Sequence, residues 1–219
     1  MPLDLEEQEQ LDQLKVFWQK YRNLITGVLT VALLGYATYS GYQWWRNSQA
    51  AEASKLYETM VEAIGKGDKD QTLRAADDLQ KQFARTPYAA MSSLVAAKIT
   101  AENGDVPKAI DYLRWVAANA SNDGYLALGK LRLVSQLIER GTEKDMAEAD
   151  VILKDKPISG YEPLWLERRG DWYLAQKKIS EARASYQEAW KKLDRAKEFP
   201  EEARRLLKVK LAAVGGIAQ

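Results

Sequence analysis

The sequence predicts an all-α protein, built as one N-terminal transmembrane helix followed by a helical-repeat solenoid. Three observations predict it. Between Arg22 and Arg46 lie 23 residues without a charge, Asn23 to Trp45. Beyond them, pairs of amphipathic segments joined by short polar turns recur along the chain. Hydrophobic residues make up 46% and charged residues 29% of the 219 residues, with Ala and Leu leading the apolar share, a mixture that favours helices over strands.

Residues 1–22 read as a short cytoplasmic segment. Residues 1–8 are too acidic and too few to fold alone, whereas Leu11, Leu14, Trp18 and Tyr21 repeat at helical spacing. That spacing predicts either a continuation of the membrane helix into the cytoplasm or a helix lying on the bilayer surface. Residues 23–45 form the transmembrane helix itself. As a helix they span about 34 Å, enough for a hydrocarbon core of about 30 Å. Trp18 and Tyr21 mark one interface, and Tyr39, Tyr42, Trp44 and Trp45 mark the other, where indole and phenol rings keep a polar atom wet and an apolar face dry. Ser48-Gln49-Ala50 has the small residues of a signal-peptidase site, but the apolar run exceeds the roughly 7–15 residues of a signal core, and Trp44-Trp45 crowds the approach. The segment is therefore expected to stay attached as an anchor.

Orientation follows from the flanking cations. Lys15, Lys20 and Arg22 stand close on the N-terminal side, against Arg46 and Lys55 on the other. By the positive-inside rule this tilts the N-terminus toward the cytoplasm and the remaining chain outside. Within the helix, Gly27, Thr30, Leu34, Thr38 and Gly41 step by three and four residues. A slim stripe of this kind lets a second transmembrane helix approach, although membrane helices are rich in Gly in any case.

Residues 46–219 read as one repeat domain. The clearest unit is 163–194. It has Pro163-Leu-Trp-Leu-Glu-Arg-Arg-Gly170-Asp-Trp-Tyr173, a polar turn near Gln176–Ser180, and Ala182-Arg-Ala-Ser-Tyr186-Gln-Glu-Ala189. Gly170 and Ala182 let two helices cross closely, and Tyr173, Tyr186 and Trp190 fill the surrounding space. The same plan gives Ala90–Ala101 and Pro107–Asn119 around Glu102-Asn103-Gly104-Asp105, with Ala109, Leu113 and Val116 facing inward. A looser copy runs Tyr125–Arg140 and Asp145–Lys154. Another, next to the anchor, runs Ser48–Ile64 and Gln71–Phe83 around Gly65-Lys66-Gly67-Asp68. Aligned on the small residues Ala75, Ala109, Ala147 and Ala182, the copies stand 34, 38 and 35 residues apart. This resembles tetratricopeptide repeats, whose period is about 34. The departures are Leu166 and Ser93 in the opening aromatic slot, Arg169 before Gly170, and a closing Pro kept only at Pro87. A last helix opens at Pro200-Glu201-Glu202. Its basic face (Arg204, Arg205, Lys208, Lys210) and its apolar residues (Leu206, Leu207, Val209, Leu211) suit either a cap on the stack or a basic docking surface.

The chemistry available is narrow. With no His and no Cys there is no zinc site, Cys nucleophile, His-based triad or disulfide, and no cofactor is expected. A net charge of +1 gives no basis for nucleic-acid binding. Asp77-Asp78 and Glu201-Glu202 read as solvated helix faces, and Gly65-Lys66-Gly67-Asp68-Lys69 lacks the spacing of a phosphate loop. A helical stack offers instead a groove lined by the first helix of each pair. Repeat geometry directs Met91, Leu94, Val95 and Lys98 toward it, together with Leu164, Glu167, Arg168, Asp171 and Leu174. Some of these would otherwise pack against a neighbouring repeat.

The order of parts carries a further resemblance. The parts are an acidic start, the Phe17-Trp18-Gln19-Lys20-Tyr21 approach, an anchor ending Gly41-Tyr42-Gln43-Trp44-Trp45-Arg46, an Ala- and Ser-rich helix, and degenerate repeats. The chain is similar throughout to the bacterial ancillary SecYEG translocon subunit family. The resemblance implies a single-pass inner-membrane protein with a periplasmic repeat domain and no enzymatic activity. Its implied partners are Sec translocon subunits, a membrane-anchored parvulin-type prolyl isomerase chaperone and unfolded secretory clients, beside the lipid bilayer that the anchor itself requires. A tethered scaffold for another envelope complex, serving division or outer-membrane assembly, stays open as the alternative.

Overall fold

The structure, a computed structural model, describes residues 5–195 and 200–216. Among the described residues there are nine α-helices and no strand. They are α1 (Leu5–Gly65), α2 (Lys69–Gln82), α3 (Pro87–Glu102), α4 (Val106–Asn119), α5 (Asp123–Arg140), α6 (Glu143–Lys154), α7 (Glu162–Ala175), α8 (Ile179–Arg195) and α9 (Glu201–Ala213). The chain divides into two units, Met1–Gln49 and Ala50–Gln219.

In the first unit α1 is unbroken through the apolar run, so the Leu11–Tyr21 segment continues the helix. The acidic segment 1–8 is helical from Leu5, and residues 1–4 lie outside the described residues. Apart from the half-buried Ile25, the large apolar side chains of the run are exposed, from Leu24 through Leu34 to Trp44. Thr30 and Thr38 donate their hydroxyls to the carbonyls of Thr26 and Leu34, each at 2.8 Å. Both hydroxyls are thus satisfied within the helix while large apolar side chains face outward, as a bilayer demands.

The second unit packs residues 50–65 of α1 and helices α2–α9. Each second helix starts from a side-chain cap or a tight turn. Asp68 accepts from the Gln71 amide at 2.9 Å, Asp105 from the Lys108 amide at 3.2 Å and Thr142 from the Asp145 amide at 3.2 Å. Each hairpin turns at a residue with positive φ: Gly67, Gly104, Gly141 and Lys177. In three of them the next amide reaches back five residues, Asp68 to Ala63, Asp105 to Thr100 and Lys178 to Tyr173, the bond that closes a Schellman turn.

These turns correct the repeat register. They fall 37, 37 and 36 residues apart, so Thr72, Ala109, Met146 and Ala182 occupy equivalent places, rather than Ala75, Ala109, Ala147 and Ala182. Ala147 is exposed, and Ala149 is the buried alanine of α6. Small residues recur in any Ala-rich helix, whereas the left-handed turn residue is fixed by geometry.

Three apolar clusters form. The main one joins Met60 of α1 to Trp165 of α7, through Ala76, Leu94, Ile110, Leu113, Leu133, Leu137 and Leu153. A small one holds Ala53 against Leu79, Phe83 and Ala89, with the rings of Tyr57 and Tyr88 tilted against each other at 5.6 Å. The third belongs to α7, α8 and α9 alone, with Leu166, Ala182, Tyr186, Ala189, Leu193, Leu207, Leu211 and Val214. Besides neighbours in sequence, α5 packs on both α3 and α7, so the first helices of successive pairs form one layer.

Candidate partner-binding surfaces

Two surfaces follow from this architecture. The first is the apolar face of α1. Gly27, Thr30, Leu34, Thr38 and Gly41 are all exposed, and a Cβ added at Gly27 or Gly41 would meet nothing within 4 Å. A shallow hollow opens there between Asn23, Leu24, Gly27, Val28 and Val31. All five residues of the stripe lie on this one helix.

The second is the layer of α3, α5 and α7. Counted back from each turn residue, Met91, Leu128 and Leu164 are equivalent, as are Leu94, Leu131 and Glu167, then Val95, Arg132 and Arg168, and then Lys98, Ser135 and Asp171. The second of these rows is closed: Leu94, Leu131 and Glu167 retain 7%, 6% and 3% of their surface. Leu94 therefore belongs to the main core and not to an open groove. It sits on a helix enclosed on most sides, where Ser92, Ser93 and Thr100 are buried too and donate their hydroxyls to carbonyls one turn back. Met91, Val95 and Leu164 are half-buried, while Lys98 and Leu174 are exposed. Leu128, Arg132 and Ser135 of α5 complete the rows between α3 and α7. They were missed because the third repeat was aligned on its small residues; the Gly141 turn locates them.

The α7 members of the rows are not free. Lys210 of α9 places its ammonium 2.6 Å from Glu167 Oε1 and 2.8 Å from both Asp171 oxygens. Arg168 Nη1 donates to Glu167 Oε1 at 3.0 Å and to Asp171 Oδ2 at 2.8 Å, and Tyr186 donates its hydroxyl to Asp171 Oδ1 at 2.7 Å. Burial, then the bond to Asp171, pushes the Tyr186 hydroxyl well above the usual phenol range. Glu167 and Asp171 are thus already neutralised within the chain.

The second helices are tied on their own side. Tyr112 donates to Asp77 at 2.7 Å, so Asp77 is half-buried and not merely solvated. Arg114 grips Glu148 with both Nε and Nη2, at 2.8 and 2.7 Å, and holds that carboxyl below its ordinary range. Asp145, fully buried, accepts from Arg140 and from the Thr142 hydroxyl, and the Arg140 hydrogen bonds lower its pKa to about 2. Among the described residues no group of three or more carboxylates is placed to hold a metal ion.

Comparison with known proteins agrees with this arrangement. The tetratricopeptide repeat-like domain family matches residues 15–216, which includes the apolar part of α1 as well as the repeats. A protein of Neisseria gonorrhoeae named ancillary SecYEG translocon subunit is 31% identical over 217 residues, 96% of this chain and 98% of that one. Proteins of the same name from Aggregatibacter actinomycetemcomitans and Escherichia coli are 27% and 25% identical, over 86% and 83% of this chain and 91% and 85% of theirs. No solved structure matches. With the anchor-length helix, the repeats and the C-terminal helix all inside the matched span, the chain belongs to the ancillary SecYEG translocon subunit family.

Proposed function

We propose that this protein is a non-enzymatic accessory subunit of the Sec translocon, anchored in the inner membrane through residues 23–45 with its N-terminus in the cytoplasm and residues 46–219 in the periplasm. Together with a membrane-anchored parvulin-type prolyl isomerase chaperone, it helps pass emerging secreted proteins to periplasmic chaperones. The observation that carries this reading is the end-to-end match to a relative of that name, 98% of whose length is covered. The structure adds two supports. An exposed apolar helix long enough to cross a bilayer precedes a packed helical-repeat unit. The layer α3–α5–α7 also presents a mixed row of Met91, Val95, Lys98, Leu128 and Arg132, suited to an extended peptide or a partner segment.

Photo-crosslinkers placed at Leu34 and at Lys98 in cells test the reading. Adducts with translocon subunits from Leu34, and with the chaperone or secretory clients from Lys98, are the expected result. Recovery of division or outer-membrane assembly proteins without any translocon subunit would sink it. Because the chain has no cysteine, a single cysteine introduced at Ala51 reports the orientation, and it should react with an impermeant thiol reagent from the periplasmic side only.

A further inference from the structure

Three tyrosines recur at one place in the repeat. Tyr88, Tyr125 and Tyr161 each stand sixteen residues before the turn residue of their hairpin, at the start of α3, α5 and α7. All three are half-buried, and so is Tyr57 of α1, whose ring tilts against Tyr88 at 5.6 Å. Tyr57, Tyr125 and Tyr161 pack against the main core, and Tyr57 and Tyr88 pack against the small cluster. Burial, and then the neighbouring Tyr125, push the Tyr57 hydroxyl above the usual phenol range. The Tyr161 hydroxyl lies 3.2 Å from the place a Cβ would take on Gly124, the residue before Tyr125. The four side chains thus form a continuous run across the layer of first helices.

Their hydroxyls set them apart from the tyrosines that serve packing. Tyr112 and Tyr186 donate to Asp77 and Asp171. The hydroxyls of Tyr57, Tyr88, Tyr125 and Tyr161 have no hydrogen-bond partner among the described residues, and none of them is sealed from solvent. A half-buried ring with a free hydroxyl offers apolar area and a directional polar group at little entropic cost, the combination enriched where proteins bind. One helical turn further on, Met91, Leu128 and Leu164 are half-buried as well. Beyond them stand cations. Arg132 is exposed with no ion-pair partner among the described residues, and Lys98 has only Glu102 at 3.8 Å, both exposed.

The spacing selects the occupant. The helices α3, α5 and α7 pack in succession, and packed helices lie about 8–10 Å apart. A polyproline II helix advances about 9.3 Å in three residues and presents every third side chain to the same side, so it meets one tyrosine per turn. A β-strand returns to the same side every two residues, about 6.6 Å, and falls out of step with the row. Polyproline II also leaves its carbonyls without internal partners, as acceptors for the tyrosine hydroxyls. We propose that the tyrosine row is a docking site for a proline-rich segment of a partner protein, of the pattern Pro-x-x-Pro-x-x-Pro in polyproline II conformation, with an acidic residue at an x position facing Arg132. This rests on the reading of the layer as a partner-binding surface and names the chemistry that one edge of it recognises.

The test uses the full-length protein in mild detergent and a fluorescent heptapeptide, Pro-Asp-Ala-Pro-Asp-Ala-Pro with blocked ends, as the probe. The peptide binds saturably to the unaltered protein, and replacing its three prolines by alanine weakens binding at least about tenfold. The double variant Tyr125→Phe, Tyr161→Phe keeps both rings and removes only hydroxyls that bond nothing in the described chain. Its melting temperature is therefore unchanged, while binding falls at least about fivefold. Arg132→Gln weakens binding of the aspartate peptide at least about fivefold and leaves binding of its asparagine counterpart unchanged. No saturable binding, equal binding of the alanine peptide, or binding indifferent to either protein variant overturns the proposal. Tighter binding of the alanine peptide, which favours a helix, or self-association of the protein that the tyrosine variant abolishes, overturns it in favour of a helical partner or a second copy. Should the tyrosine variant not fold, the peptide comparison and Arg132→Gln decide. None of these measurements involves the translocon, so failure here leaves the crosslinking test of the broader function standing.

Discussion

In the α3–α4 hairpin, Ala97 on the first helix and Leu113 on the second stand at the same distances from the turn as Gly170 and Tyr186 do in the α7–α8 hairpin. All four are buried, and both pairs set a small residue on the first helix against a larger one on the second. The interior hairpin reaches this with an alanine and a leucine, because α2 and α5 close it on either side. The terminal hairpin has α9 as its later neighbour, and it fills the same place with a tyrosine whose ring occupies the space where a Gly170 Cβ would stand. That ring also carries a hydroxyl, which ties it to Asp171 and through it to Lys210. The same turn therefore supports an apolar joint inside the stack and a partly charged joint at its end. The end places a larger side chain at the crossing.

Breaking the terminal joint is expected to give the largest effect. Tyr186→Ala removes a fully buried aromatic side chain and leaves a cavity beside Gly170, which should cost about 3–5 kcal/mol, read from chemical denaturation of the purified protein. Leu113→Ala in the interior hairpin should cost about 2–5 kcal/mol. If the interior change proved the costlier of the two, the terminal joint would not be the one resting on its largest side chain.

Ala182→Leu tests the same joint from the side of excess volume. Ala182 has no exposed surface in the third cluster, so an isobutyl group there should destabilise by about 1–3 kcal/mol through overpacking. An unchanged melting temperature would mean that the α7–α8 crossing lies elsewhere.

A hairpin between these two extremes, α5–α6, is held by a buried carboxylate. Asp145 is the third residue of α6, bonded to its cap Thr142 and to Arg140 of the preceding helix. Its folded pKa is depressed to about 2 from 3.8, so it contributes stability above pH 4 that is lost as pH falls from about 4 to about 2. Asp145→Asn should cost about 1 kcal/mol at neutral pH, the scale of a helix cap. Thermal unfolding of both forms along that pH window should show the difference shrinking; a constant difference would mean that ionised Asp145 is not the stabilising species.

The same residue shows where sequence reading stops. Helices that open on Val106-Pro107 and Glu201 were legible almost to the residue, because proline, capping aspartate and turn glycine are local signals, whereas α3 was expected from Ala90 and opens at Pro87, a proline that reads equally well as the close of the preceding repeat. The register of α6 was not, since a charged residue with no exposed surface is invisible to a pattern that sorts apolar from polar, and its pairing with Arg140 is settled only by folding. The candidate sites divide in the same way. The exposure of the stripe on α1 was legible because one helix carries all of it. The state of Glu167 and Asp171 was not, because their partner Lys210 lies 43 and 39 residues further along the chain. A basic helix face and a carboxylate-bearing groove give no sign in one dimension that they cancel each other.

The smallest expected effect isolates the turn that both hairpins share. Gly104 and Lys177 occupy it with φ of 84° and 62°, and only the glycine does so without a steric cost from Cβ. A non-glycine residue in this region carries roughly 1–2 kcal/mol of strain, part of which a glycine would give back through the greater freedom of its unfolded chain. Lys177→Gly should therefore stabilise the protein by about 0.5 kcal/mol. Gly104→Ala should destabilise it, by about 1 kcal/mol. Opposite signs for the two substitutions, measured in the same denaturant series, would establish that the interior and terminal hairpins differ in their packing but not in their turn. Loss of stability in both would mean that the Lys177 side chain makes a contribution at the terminal turn that its backbone conformation does not reveal.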